Sequence, residues 1–254
     1  MLFLRQFKNY LYKIYRLFLL VSKDSLFDLS HHLKLPAGFS FKLLRAEKSR
    51  IVVSIPLNLI EKFVPNKNLQ YIFKPDKVHY SSLKSFVWPG DWDLNAKSIN
   101  EYYTEVSTSY RSVMQIFKDG TSYKQCDEYI EKSITIQKKG KTSRADTIDD
   151  LNRYFKSLIE LENNIRLFGY KEQKELGKDP NDEIGVFIGR NGEFIKAEDK
   201  FCGTHRFAIA KYLRLKSVPV CILAVHEIWA RNNRYLLTGK GAKLQKYFIN
   251  KYNQ

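Results

Sequence analysis

The chain has 254 residues, 44% of them hydrophobic and 14% aromatic, which is enough for one large core or two smaller ones and excludes a disordered chain. Lys and Arg number 43 against 27 Asp and Glu, and the net charge of +16 selects anionic partners: nucleic acid, an anionic membrane surface or phosphorylated substrates. Cys126, Cys202 and Cys221 have no metal-ligand spacing, which fits a reducing cytoplasm, and no uncharged apolar run is long enough to cross a bilayer.

Residues 1–35 form the first region, a basic amphipathic helix. At about 100° per residue, Arg5, Lys8, Lys13 and Arg16 share one side, with Phe3, Phe7, Tyr10, Leu11, Ile14, Leu17, Phe18 and Val21 on the other. These faces suit an interfacial helix at the inner, anionic face of a membrane, and equally a terminal helix packed on its own domain. The cations interrupt the apolar run too often for a signal peptide.

Residues 36–150 read as a mixed α/β region on the substrate side. Pro36-Ala37-Gly38 ends the helix, and strands are expected at 39–44, 51–55 and 69–73, with a helical turn or two between Leu57 and Phe63. In Phe86-Val87-Trp88-Pro89-Gly90-Asp91-Trp92-Asp93, Pro-Gly forces a turn that carries two Trp and two Asp. Such a loop builds a sugar platform, a metal site or a substrate clamp; alternatively its Trp residues fill core and Asp93 caps the chain from Leu94 onward. Asp91 and Asp93 are therefore candidates to bind magnesium and to accept a hydroxyl proton. Helices are expected over 98–132, with an aromatic stripe that reads as core, and then a solvated basic loop, Lys138 to Arg144, which lacks the glycine and the preceding strand of a Walker loop.

Residues 151–254 form the last region. A long helix beginning near Asp146 ends at Gly169, with Glu172 and Gln173 just beyond it. Gly185 to Ile188 and Glu193 to Ala197 are expected to pair as a hairpin about Arg190-Asn191-Gly192. A short helix and a strand, Val218 to Val225, come next. Between hairpin and helix lies Gly203-Thr204-His205-Arg206. A glycine entering a helix start leaves backbone N–H groups and the positive dipole end facing one spot, and Thr, His and Arg there complete an anion site suited to phosphate.

Gly203-Thr204-His205-Arg206, with Ala208, Ala210 and Val218-Pro219-Val220, resembles the Gly-x-His-Arg box of the ParB/sulfiredoxin superfamily over roughly residues 155–226. The resemblance implies an α+β fold, a ParB/sulfiredoxin-like C-terminal domain with a mixed α/β N-terminal extension. It implies that Gly203, Thr204, His205 and Arg206, with Gln173, bind an ATP-type nucleotide with magnesium. Sulfiredoxin chemistry requires a cysteine directly before His-Arg, where this chain has Thr204. ParB-type partitioning requires a helix-turn-helix domain after the nucleotide domain, and fewer than thirty residues follow Val225. The small-molecule kinase branch fits best, although its aspartate before the glycine is Cys202 here. That role then falls to Asp91, Asp93, Glu172 or Asp199, with His205 also catalytic. The expected activity is phosphorylation of a hydroxyl on a sugar or lipid-linked glycan, and the alternative is a nucleotide-gated DNA-binding protein.

Overall fold

The computed structural model describes residues 51–65, 86–198, 203–237 and 242–252. The expected basic N-terminal helix, the strands at 39–44 and 69–73, and Asp199 and Cys202 lie outside the described residues.

The described strands are β1 (Ile51–Pro56), β2 (Ile60–Val64), β3 (Val87–Trp88), β4 (Lys97–Ser98), β5 (Ile184–Ile188), β6 (Phe194–Ala197) and β7 (Ser217–His226). They form one mixed sheet in the order β1-β7-β5-β6-β2-β4, with β3 also paired to β7. The expected hairpin is present: β5 and β6 pair antiparallel, with Ile188 opposite Phe194. β7 then pairs parallel to β5, with Val220 beside Ile184 and Val225 beside Ile188. Strands from before residue 150 and after it thus share one sheet.

The main helices are α1 (Thr108–Phe117), α2 (Asp127–Lys139), α3 (Ile148–Phe168), α4 (Thr204–Tyr212), α5 (Glu227–Asn232) and α6 (Ala242–Tyr252). α3 starts as its sequence dictates. Thr147 accepts from the Asp150 amide while the Asp150 side chain accepts from the Thr147 amide, a reciprocal cap. The chain is therefore of the α+β class, mixed strands with helices packed about them.

Side-chain alternation along the central strands builds two of the three cores. Val186 and Ile188 of β5, with Val218, Val220 and Ile222 of β7, face a cluster closed by Phe207 of α4 and Phe248 of α6. Phe187, Cys221 and Leu223 face the other way, onto Trp88 and Trp92. Ala208 and Ile209 of α4 join a third cluster with Leu151, Phe155 and Leu158 of α3 and Tyr129 of α2. α4 is thus wedged between sheet and helices, and its buried residues lie almost all round it. At about 3.3 Å per residue, β5 separates its two ends by about 13 Å, and the candidate residues divide between those ends.

Candidate functional site

The box lies at the start of β5. Gly203 adopts φ +62°, and a Cβ there would sit 2.9 Å from Cα and N of Ile184. Only glycine combines that left-handed backbone with so close an approach, so it lays the first turn of α4 directly on β5. The N-cap Gly203 brings no side chain to the leading N–H groups of α4, in contrast to Thr147 at α3, and the positive end of the helix dipole lies at this turn.

Arg206 is oriented from two sides. One terminal nitrogen donates to the Asp182 carbonyl and the other to Oε1 of Gln173, while its buried Nε has no hydrogen-bond partner. Gln173 is held in turn, its amide donating to Oε1 of Glu183 at 2.5 Å as the Tyr170 hydroxyl donates to Oε2 at 3.1 Å. Burial pushes the Glu183 carboxyl above its ordinary value, and the nearby Glu172 charge adds to the rise. Glu183, directly before β5, is buried and supports Gln173. Glu172 is half-buried beside this cluster.

His205 packs inward onto α2. Its Nε2 lies 2.7 Å from Oε2 of Glu128, and the Tyr154 hydroxyl lies 3.3 Å from Nδ1 and 3.2 Å from Nε2. Burial alone would raise the Glu128 carboxyl, but the charge and hydrogen bond of His205, with Lys132 3.4 Å away, overcome it and hold it at about 2. Burial also raises the Tyr154 phenol, which therefore stays a neutral donor. Oγ1 of Thr204 lies 3.2 Å from the Tyr102 hydroxyl.

These groups face a cleft of about 310 Å³ lined by Arg144, Tyr154, Ser157, Asp182 and residues 203–206. The loop Lys138 to Arg144, expected to be solvated with phosphate or lipid contact as the lesser alternative, is split in role. Lys138 and Lys139 belong to α2, while Arg144 reaches the cleft with its guanidinium 5.3 Å from the Tyr154 ring centre.

Asp91 and Asp93 do not join the box. β3 pairs with the end of β7, so the loop after it emerges at the opposite end of β5. There Asp93 Oδ2 accepts from the Arg190 amide at 2.8 Å, and both its oxygens accept from the Arg190 guanidinium at 2.8–3.1 Å. Burial acts to raise the Asp93 carboxyl, but the Arg190 hydrogen bonds outweigh it and keep it low. Asp91 adds an exposed contact to the same guanidinium at 2.7 Å. Nε2 of His226 donates to the Gly90 carbonyl at 2.7 Å, and Nδ1 accepts from the Ile228 amide. Trp88 and Trp92 are buried against Phe187, with ring centres 4.8 and 5.6 Å away. The buried Trp rings and Asp93 therefore make the loop an anchor, with Asp93 committed to Arg190 and Asp91 an exposed second contact to it.

The sequence reading missed Glu128, Tyr154 and Glu183, and held Arg144 only within a basic loop whose phosphate contact was the lesser alternative. Glu128 and Tyr154 sit on helices among residues of helix-face spacing, and nothing in that spacing sets them apart. Among the described residues, no group of three His, Cys, Asp or Glu is placed to hold a metal. Comparison with protein-family models, with curated proteins and with solved structures gave no match.

Proposed function

We propose that this chain is a nucleotide-dependent phosphotransferase with a ParB/sulfiredoxin-like nucleotide domain, which moves a phosphoryl group from an ATP-type donor to a hydroxyl of a sugar or lipid-linked glycan. The observation that carries the proposal is the glycine-led first turn of α4, fixed on β5 by Gly203 and opening on a cleft with two guanidinium groups, Arg206 and Arg144. The order hairpin, box, helix, parallel strand supports the family assignment.

In this account Gly203, Thr204 and Arg206 bind the donor phosphates, and Gln173 binds through its hold on Arg206. The acceptor proton passes to the Tyr154 oxygen as the Tyr154 proton moves to Nδ1 of His205, with Glu128 balancing the imidazolium. Asp91 and Asp93 do not fit a magnesium site here, and no step is routed through the metal. Asp182 is the carboxylate among the described residues lining the cleft, and a metal bound through phosphates and water needs no more than one or two. A cytoplasmic location at the inner membrane face belongs to the same proposal and rests on residues 1–35. No helix among the described residues is long and apolar enough to cross a membrane.

Thermal stabilisation with magnesium and ATP, ADP, GTP or CTP, beside a duplex DNA control, tests the proposal. A shift from ATP or ADP that disappears in Arg206→Ala supports it. A shift with CTP alone or DNA alone moves the assignment to the nucleotide-gated DNA binder, whose affinity would fall steeply with salt.

A further inference from the structure

The cleft at the box is the middle of a longer groove along α3. On one side it continues, through the shared Ser157, Leu161 and Arg206, into a cavity of about 580 Å³. Leu161, Ile165, Phe168, Tyr170 and Leu176 make that arm largely apolar, and the amides of Asn164 and Gln173, with Glu160, Lys171 and Lys178, supply polar edges. On the other side, through Ser143, Arg144, Tyr154 and Ser157, it continues into a cavity of about 660 Å³. That arm is of opposite character, lined by Thr142, Asp146, Asp150 and Arg153 in addition to the shared residues; Asp150 and Arg153 pair with each other there, and Asp146 and Arg144 carry the other charges.

Resting on the phosphotransferase reading above, we infer that the polar arm is the acceptor subsite and takes a polyhydroxylated, sugar-type molecule, while the apolar arm takes the nucleoside of the donor. Two arguments support the division. A nucleobase has apolar faces and a hydrogen-bonding edge, which match the ring and aliphatic walls and the two amides of the apolar arm. A sugar presents closely spaced hydroxyls, which carboxylate and guanidinium groups bind from opposite senses, the one accepting and the other donating.

The second argument is the geometry of transfer. Phosphoryl transfer is roughly in line, so the attacking and leaving oxygens must approach phosphorus from opposite sides. The groove supplies two sides, with the box between them. The acceptor hydroxyl oxygen bonds the terminal phosphorus, the bond from that phosphorus to the bridging oxygen breaks, and the electron pair leaves with the nucleoside diphosphate into the apolar arm. The hydroxyl proton goes to the oxygen of Tyr154, which lines both the central cleft and the polar arm, as the Tyr154 proton passes to Nδ1 of His205.

The test uses the full chain saturated with ADP and ligand-detected saturation-transfer NMR of D-glucose, D-mannose, D-galactose and N-acetyl-D-glucosamine. Asp146→Trp fills the polar arm, and Leu176→Trp fills the apolar one. The inference expects at least one sugar to show transfer in the parent chain, with transfer reduced at least fivefold in Asp146→Trp and ADP affinity there within twofold of the parent. It expects Leu176→Trp to weaken ADP at least tenfold. ADP binding with no transfer from any of the four sugars overturns the polar arm as a sugar subsite and leaves the phosphate site standing. Transfer unchanged in Asp146→Trp, or ADP weakened by Asp146→Trp and not by Leu176→Trp, overturns the division of the groove. Failure of ADP to bind the parent chain overturns the phosphotransferase reading itself.

Discussion

Each end of β5 carries a buried carboxylate, a histidine and an arginine, and the two ends use them differently. At the far end Asp93 accepts from Arg190 and lies 3.6 Å from His226, and its hydrogen bonds tie the loop to the turn between β5 and β6. At the near end Glu128 binds His205 from behind, which leaves the first turn of α4, Tyr154 and Arg206 facing a cleft. The same residue types thus serve as an anchor where every partner is internal and as a candidate site where the partners stop short of the cavity. Residue type alone does not separate the two; the direction of the hydrogen bonds does.

The largest expected effect concerns acid. Glu128 is held at about 2 against an ordinary 4.5, so it stabilises the fold above pH 4.5, and that contribution is lost as pH falls toward 2. The difference is worth about 3 kcal/mol. Denaturant unfolding between pH 5 and pH 2.5 checks it: stability of the parent chain falls steeply, and Glu128→Gln is less stable at pH 7 with a visibly shallower fall. An equal slope in the variant would remove Glu128 from the account.

At the closed end, Asp93→Ala leaves a partly buried guanidinium and an unsatisfied Arg190 amide, and should destabilise the chain by about 2 to 3 kcal/mol. Its ADP affinity, measured by calorimetry, should stay within twofold of the parent. A tenfold loss would return the Trp-Asp loop to the site.

Gly203→Ala combines a strained φ with a Cβ 2.9 Å from backbone, and should destabilise by about 2 kcal/mol. ADP binding should weaken beyond what the lost stability explains, since the first turn of α4 must move. Arg206→Lys keeps the charge but loses the fork that spans Asp182 and Gln173. It should weaken ADP about tenfold, or about 1.4 kcal/mol, with little change in unfolding temperature.

Much of the near end is legible in the sequence because it is local. The hairpin, the Asn-Gly turn, the glycine before a helix and the strand after it all lie within 43 residues, from Ile184 to His226, and each has a short-range physical cause. Gln173 is legible as a position but not as a partner of Arg206. The rest is not local. Glu128 and His205 lie 77 residues apart and meet because α2 and α4 share a core, which no spacing rule conveys. The Trp-Asp loop misleads for the same reason. Its Asp residues have the chemistry of a metal site, but the register of β3 on β7 sets them beside Arg190, at the wrong end of the strand.

The most direct test of the central claim is an ADP titration of the full chain followed by backbone amide chemical shifts. The account predicts that the amides of residues 203–206 move most, with Arg144 and Tyr154, while those of residues 90–93 and 190 stay in place. Movement centred on residues 90–93, with residues 203–206 unmoved, would place the phosphate site at the other end of β5 and contradict it.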